Sequence, residues 1–261
     1  GAAGKSASDK VVRAITERTP IAIDVSAEMD SKASFGARMA REAVALALEC
    51  EPDLVCLTGD LAHTSHGVHA AVEILRPLTR YPLLVVMGNH DHDEMLEAHL
   101  GLLREPRLDA AQWRAAVNAG GAQVLHNEVV RLAVRGGTVV VAGIGDPSCG
   151  RDDLARALAG EPRGDFHLLL VHSPDLIDDP RTAWADVVLC GHTHGGQFRL
   201  PGLGSPWAPV WHDRRRAAGL MQFGDTLLYV SRGVAAGVRW RFLCPPEVVA
   251  ITLTRGPGAE P

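Results

Sequence analysis

The sequence lacks an excess of positive charge and has no long apolar segment. Its 261 residues carry 26 Lys and Arg against 31 Asp and Glu, a formal net charge of −5. A general nucleic-acid-binding protein usually carries a basic stripe, so a nucleic-acid partner is not expected. A transmembrane helix needs a run of about 18 apolar residues, and none is present. No transmembrane helix is therefore expected within these residues.

Paired cysteines are also missing. The five cysteines are odd in number and scattered, and none forms a CxxC pair. Cys56 and Cys190 lie within apolar, strand-like runs. Buried, reduced thiols are the expected state, which fits a reducing compartment.

The chain contains no repeat, linker or low-complexity segment between residues 10 and 255, which predicts a single domain over 10–255. Residues 1–9 begin without Met and are typical of a cloning remnant or a truncated N-terminus. Residues 256–261 are expected to form a flexible tail. A cytoplasmic location is expected, or a peripheral one at the membrane if an N-terminal anchor has been removed. The Ala-, Arg- and Gly-rich composition is typical of a bacterial protein from a GC-rich genome.

Apolar, β-rich runs alternate with helical patterns, which predicts an α/β fold. Helices between the first three strands indicate parallel βαβ units, whereas the later, more closely spaced strands indicate antiparallel pairing or a second sheet. The predicted strands are Ile21–Val25, Leu54–Thr58, Leu83–Met87, Thr138–Gly143, Phe166–His172, Val187–Cys190, Thr226–Ser231 and Val248–Leu253. The predicted helices are Gly36–Glu49, Val68–Leu78, Asp109–Ala119 and Asp152–Ala159.

Polar clusters follow these strands at their carboxyl ends, the edge where open α/β sheets bind ligands. The clusters are Asp24, Gly59-Asp60, Gly88-Asn89-His90-Asp91, His172 and Gly191-His192-Thr193-His194. Their repeated placement at one edge predicts a shared site rather than isolated polar turns.

The first clusters offer oxygen ligands and a proton donor. Asp60 either caps the next helix or holds metal ions with its carboxylate. Asn89 offers an amide oxygen, and His90 an imidazole that Asp91 can hold in one tautomer. A polar turn is the alternative for this second cluster.

The histidines strengthen a metal-site interpretation. His192 and His194 lie two residues apart on a tight loop, and the glycines after them allow close approach of the backbone. The alternative for an isolated HxH pair is a polar surface with weak metal binding. Together with His172, imidazoles beside carboxylate and amide oxygens favour Mn, Fe or Zn over Ca or Mg.

The order of these five clusters resembles the calcineurin-like metallophosphoesterase family, over about 230 residues by this chain's own numbering. Residues 191–202, 229–233 and 242–253 are similar to its bacterial branch of YkuE-like and YaeI-like phosphodiesterases. Some relatives cleave the pyrophosphate of lipid A precursors. The resemblance implies a four-layer α/β/β/α sandwich with mixed sheets.

The resemblance further implies a phosphoric ester hydrolase with two divalent metal ions. Asp60 would bridge both ions, Asn89, His172 and His192 would complete one shell, and Asp24 with His194 would hold the second ion. A hydroxide between the ions would attack phosphorus in line. His90 would stabilise the transition state or protonate the leaving oxygen, with Asp91 orienting it.

Ser26 stands where the family's Asp-x-His motif has a histidine, because residues 24–26 read Asp-Val-Ser. A hydroxyl is a poorer ligand than imidazole for these ions, so the second ion is expected to bind more weakly. Three explanations are open. Ser26, water or a neighbour (Glu28, Asp30 or His63) completes the site; one firm ion supports altered chemistry; or catalysis is lost.

Two features near the site have open interpretations. Residues 197–216 contain Trp207 and Trp211, which either bury against the sheet or meet an apolar substrate or membrane surface. Arg232 either pairs with substrate phosphate or forms a structural salt bridge.

The leading functional hypothesis is cleavage of a phosphodiester or pyrophosphate bond in a small-molecule or lipid-linked substrate. A phosphomonoesterase and a non-catalytic metal-binding protein are the alternatives. The sequence does not determine the substrate, the metal or the oligomeric state.

Overall fold

The computed structural model describes residues 12–14, 35–62, 64–92, 108–160, 162–210, 213–235 and 241–253. Several predictions of the sequence analysis lie outside these ranges and stay predictions. They concern the strand Ile21–Val25, the residues Asp24, Ser26, Glu28, Asp30, His63 and Trp211, and both termini.

The described chain alternates strands with helices. The α-helices are α1 (Phe35–Glu49), α2 (Ser65–Leu75), α3 (Ala110–Ala119) and α4 (Leu154–Ala157). The strands are β1 (Val12–Ala14), β2 (Val55–Leu57), β3 (Leu83–Val85), β4 (Gln123–Val124), β5 (Glu128–Val134), β6 (Gly137–Gly143), β7 (Phe166–Leu170), β8 (Val187–Cys190), β9 (Gly219–Phe223), β10 (Thr226–Val230) and β11 (Ile251–Leu253).

The strands form two main sheets and one small pair. Strands β2, β3 and β4 pair in that order, all parallel. The larger sheet has the order β5-β6-β7-β8-β10-β9. Its central strands β6, β7, β8 and β10 run parallel, while β5 and β9 pair antiparallel at its two edges. Strands β1 and β11 form an antiparallel pair. The prediction of mixed sheets is confirmed.

Three apolar clusters show how the layers stack. One joins α1, α2 and α3 to one face of the β2–β4 sheet and includes Leu57 and Val85. A second fills the space between the sheets and includes Leu84 of β3 and Leu168 of β7. The third covers the far face of the six-stranded sheet with α4 and short 3₁₀ helices. Alternation of side chains across each strand supplies both faces of each sheet, and the four-layer prediction is confirmed.

Sequence periodicity identified the central strands and missed the edge strands. Val187–Cys190 is fully buried and was predicted with its observed bounds. Strands β5 and β9 were not predicted, because as edge strands they alternate half-buried and exposed residues and carry no continuous apolar run. A short 3₁₀ helix over Arg76–Arg80 replaces the end of the predicted second helix, because Pro77 cannot continue its hydrogen-bond ladder.

All five cysteines are free, and Cys56, Cys190 and Cys244 are buried. This confirms the interpretation that these three are buried thiols. Within the described ranges, no helix is both long and apolar enough to cross a membrane.

Candidate metal centre

The predicted ligands come together where the carboxyl ends of the two sheets meet. Asp60 follows β2 and Asn89 opens the 3₁₀ turn after β3, both in the smaller sheet. His172 follows β7 and His192 follows β8 in the larger sheet. Four strand ends of two facing sheets therefore deliver one donor each.

The four donor atoms lie in contact with one another. His172 Nε2 is 3.1 Å from Asp60 Oδ2 and 3.1 Å from Asn89 Oδ1. His192 Nδ1 is 3.0 Å from Asn89 Oδ1 and 3.1 Å from His172 Nε2. These four residues are the set that the resemblance assigned to the first ion, and Asp60, His172 and His192 form a group able to hold a metal.

His172 is oriented as a metal-binding histidine requires. Its buried ring donates from Nδ1 to the Thr58 carbonyl at 2.5 Å, which leaves Nε2 facing the other donors. Burial lowers the pKa of His172, but the Asp60 carboxylate outweighs this effect and raises it to about 10. Acceptor atoms crowd around Nε2, and this arrangement is stable only with a positive charge among them. A proton or a metal cation fits that place.

The two loop histidines are poised as neutral ligands. Burial and the charge of His172 lower the pKa of His192 to about 4, and burial lowers that of His194 to about 3. The Nδ1 atom of His194 is buried and has no hydrogen-bond partner among the described residues. An unpaired buried nitrogen costs free energy, so a ligand role fits it. The residues predicted to share its ion, Asp24 and Ser26, lie outside the described ranges.

The site loops adopt backbone conformations that side-chain-bearing residues rarely take. Asp60, His192 and His194 have φ values of 56°, 67° and 49°. Each left-handed residue of this kind costs on the order of 1 kcal/mol and is found mostly at functional sites. Gly59 has a φ of 98°, and a Cβ there would lie 2.5 Å from the Gly88 backbone nitrogen. The glycines therefore let the two ligand loops touch.

Asp91 binds backbone groups of both ligand loops. Its predicted task of orienting His90 stays a prediction. In the structure its buried carboxylate accepts backbone N–H groups from Asp60 (2.6 Å), Leu61 (2.9 Å), Ala62 (3.2 Å) and Gly88 (2.9 Å). Burial and the charge of Asp60 raise the pKa of Asp91 to about 7. The contacts assign it to fastening the Asp60 loop to the Asn89 loop.

His90 lies beside Asp60. Its backbone N–H donates to Asp60 Oδ1 at 2.9 Å, and its side chain is half-buried. Burial raises the pKa of Asp60, but the charges of His172 and His90 outweigh this effect and lower it well below its usual range. Asp60 is therefore ionised at any working pH.

Asp146 is a residue at this site that the sequence analysis missed. It is fully buried after β6 and accepts from the Ser148 N–H at 3.0 Å and hydroxyl at 2.6 Å. Its negative charge adds to the rise in the pKa of His172 and partly offsets the fall in the pKa of His192. The pair Gly145-Asp146 directly after an apolar strand repeats the pattern of Gly59-Asp60. That repetition was the signal that could have found it.

Arg232 forms the salt bridge that was one of its two predicted roles. Its Nε donates to Glu247 Oε2 at 2.6 Å, and its backbone N–H donates to Oε1 at 2.9 Å. The Cys244 thiol donates to the His194 carbonyl at 3.3 Å. The C-terminal segment therefore supports the histidine loop. Contact of Arg232 with a substrate phosphate stays a prediction.

Metal binding is expected to release a proton from His172. Because its pKa of about 10 lies above the value near 6.5 of an unfolded histidine, the proton stabilises the metal-free fold below pH ~6.5. This contribution disappears as the pH rises through 10. Between these limits a metal must displace the proton, so Mn²⁺ affinity should rise up to about tenfold per pH unit.

Calorimetric titration with Mn²⁺ in buffers of different ionisation enthalpy measures this release. About one proton per ion is expected at pH 7.5. His126→Gln is the control, because His126 is only partly buried and its ring lies beside His92, outside the donor cluster. A heat independent of the buffer would contradict the charge state assigned to His172.

Comparisons with known proteins agree with this geometry. Residues 35–196 match the model of the calcineurin-like phosphoesterase family. The chain is 36% identical over 216 residues to the phosphodiesterase YaeI of Escherichia coli. This alignment covers 81% of this chain and 74% of YaeI. It is 32% identical over 141 residues to the UDP-2,3-diacylglucosamine pyrophosphatase LpxG of Chlamydia trachomatis, across 48% of this chain and 40% of LpxG.

The fold is similar to that of the protein TT1561 from Thermus thermophilus. The crystal structure of that protein aligns with a TM-score of 0.50 at 15% identity, over 84% of this chain and 92% of TT1561. This likeness concerns the fold alone.

Proposed function

Because the chain belongs to the calcineurin-like phosphoesterase family, we propose that it hydrolyses a phosphodiester or pyrophosphate bond at the Asp60–His192 cluster. The observation that carries this proposal is the convergence of one carboxylate, one amide oxygen and two imidazole nitrogens within contact distance. Buried acceptors normally have hydrogen-bond donors as partners, so acceptors that face one another favour a bound cation.

The residues that would hold metal follow from their contacts. Asp60, Asn89, His172 and His192 would hold the first ion, and His194 the second together with Asp24. Divalent ions, Mn, Fe or Zn by ligand type, would supply charge neutralisation at the phosphoryl oxygens and a water activated at neutral pH. Since Ser26 replaces an imidazole ligand, the second ion is the weaker of the two.

The protein's own groups have distinct tasks in this proposal. The carboxylate of Asp60 is the only anionic donor of the four, so a bound dication keeps a net positive charge that attracts phosphate. His90, next to the ligand Asn89 and bonded through its backbone to Asp60, would protonate the leaving oxygen. Asp91 holds the Asp60 loop and the Asn89 loop together.

A diester fits the charge of the site better than a monoester. Arg232, the arginine predicted to meet substrate, has its charge compensated by Glu247. Each phosphoryl group of a phosphodiester or of a diphosphate diester carries one negative charge near neutral pH, whereas that of a monoester approaches two. YaeI, whose name describes a phosphodiesterase, and LpxG, whose name describes a pyrophosphatase, are relatives with matching reactions.

Hydrolysis of three soluble probes by the Mn-loaded protein tests the proposal. We expect a kcat/KM for bis-p-nitrophenyl phosphate or UDP-glucose at least ~10-fold above that for p-nitrophenyl phosphate, and loss of activity with a chelator. Preference for p-nitrophenyl phosphate would establish the phosphomonoesterase alternative. Failure to cleave any probe with metal bound would support a non-catalytic metal-binding protein.

A further inference from the structure

Five large apolar side chains stand exposed on two neighbouring segments beside the metal centre. They are Phe198 (47% exposed), Leu203 (80%), Trp207 (65%), Phe242 (49%) and Leu243 (58%), and we call them the apolar rim. Elsewhere in the described ranges only Leu46 and Leu220 are comparably large, apolar and exposed. For Trp207, the interpretation that the loop buries its tryptophans is therefore wrong.

The rim is fixed to the loop that carries the histidine ligands. The Phe242 N–H donates to the Gln197 carbonyl at 2.8 Å, and the Arg199 N–H donates to the Phe242 carbonyl at 2.9 Å. The Phe198 and Phe242 rings stack with centroids 4.8 Å apart. Since Phe198 follows the ligand His194 by four positions, anything bound to the rim lies next to the site.

Backbone strain indicates that this exposure is built into the fold. Leu243 has a φ of 50°, a left-handed conformation that is a genuine outlier for a leucine. Such outliers persist only where surrounding structure imposes them, mostly at sites of function. Here the bonds of Phe242 and Cys244 on either side hold Leu243 outward.

Positive charge surrounds the rim. Residues 197–217 contain four arginines and one aspartate. Arg216 is buried and its guanidinium is bound by the Asp178 carboxylate, so it adds no net charge at the surface. Arg214 is exposed and donates to the Pro206 carbonyl at 2.7 Å, which places its guanidinium next to Trp207. The aspartate, Asp213, is paired with Arg215.

We propose that the apolar rim docks onto a bilayer containing anionic lipids and holds the metal centre at the headgroup level. Protruding aromatic and leucine side chains flanked by arginines are suited to the membrane interface. Each basic residue near an anionic leaflet adds to the attraction.

Charge and shape favour a bilayer over other apolar occupants. A symmetric contact between two copies of the chain would bring two arginine-rich segments face to face. The rim side chains also project outward, whereas a groove for a single acyl chain would enclose them. The proposal goes beyond hydrolysis and does not depend on it.

Co-sedimentation with phosphatidylcholine vesicles, with and without phosphatidylglycerol, tests the docking. We expect binding to the anionic vesicles that weakens with added salt, and at least a tenfold lower partition coefficient for the double variant Leu203→Ser/Trp207→Ser. The matched control is Leu46→Ser/Leu220→Ser, which removes two exposed leucines outside the rim (51% and 47% exposed) and should bind like the wild type.

Melting temperature and light scattering, measured on the same samples, show whether the rim variant is folded and whether its oligomeric state has changed. The rim variant should melt like the wild type and keep its oligomeric state, because its changed side chains are exposed. Absence of binding by the folded wild type, or equal loss in the control variant, would overturn the proposal. A dimer that the rim variant dissociates would overturn it too, by identifying the rim as a contact between copies.

Discussion

Replacing Asp60 with asparagine should remove the first metal ion and lower kcat/KM roughly 1000-fold. The change preserves the shape of the side chain but removes the only anionic donor of the cluster. A loss of about 4 kcal/mol of charge stabilisation in the transition state corresponds to that factor in rate. Elemental mass spectrometry after Mn loading and the diester assay measure the two effects.

The Asp60→Asn variant should also lose the raised pKa of His172, because the Asp60 carboxylate is its main cause. Asp53→Asn is the matched control, since Asp53 forms a surface ion pair with Arg135 at 2.8 Å, and such pairs contribute little. Unchanged metal content and turnover in Asp60→Asn would show that the cluster is not the catalytic site.

Replacing Asp91 with asparagine should lower the melting temperature by about 10 °C and weaken metal binding. Each oxygen of Asp91 accepts two backbone N–H groups. An amide –NH₂ cannot accept hydrogen bonds, so two buried donors lose their partner whichever way the amide is turned. The expected loss in the free energy of unfolding is about 3 kcal/mol, which yields that shift in a chain of this size.

Calorimetry and Mn titration of Asp91→Asn test whether Asp91 holds the Asp60 and Asn89 loops together. The control is Asp165→Asn, because the Asp165 carboxylate accepts the Thr138 N–H at 2.7 Å in an exposed position, where water can replace the bond. Because Asp91 acts through the two loops, its variant should lose metal affinity and stability together. Full stability with lost turnover would instead return Asp91 to the role of orienting His90.

The arrangement of the site was predictable because its determinants are local in the sequence. A buried strand followed by Gly-Asp, Gly-Asn or Gly-His places a polar group at the sheet edge, and parallel strands bring those edges together. Asp60, Asn89, His172 and His192 meet as the resemblance implied. Asp146 also follows a glycine after an apolar strand, but it is not one of the five polar clusters on which the prediction rested.

The sequence by itself determined the chemical groups, the strands that carry them and the family. The tertiary structure decided which partners those groups have. Asp91 bonds to residues about 30 positions away, and Arg232 pairs with Glu247 across 15 positions. The outward position of Trp207 is likewise set by packing. Local periodicity records how a segment folds, whereas hydrogen-bond partners and exposure depend on segments that meet only after the sheets assemble.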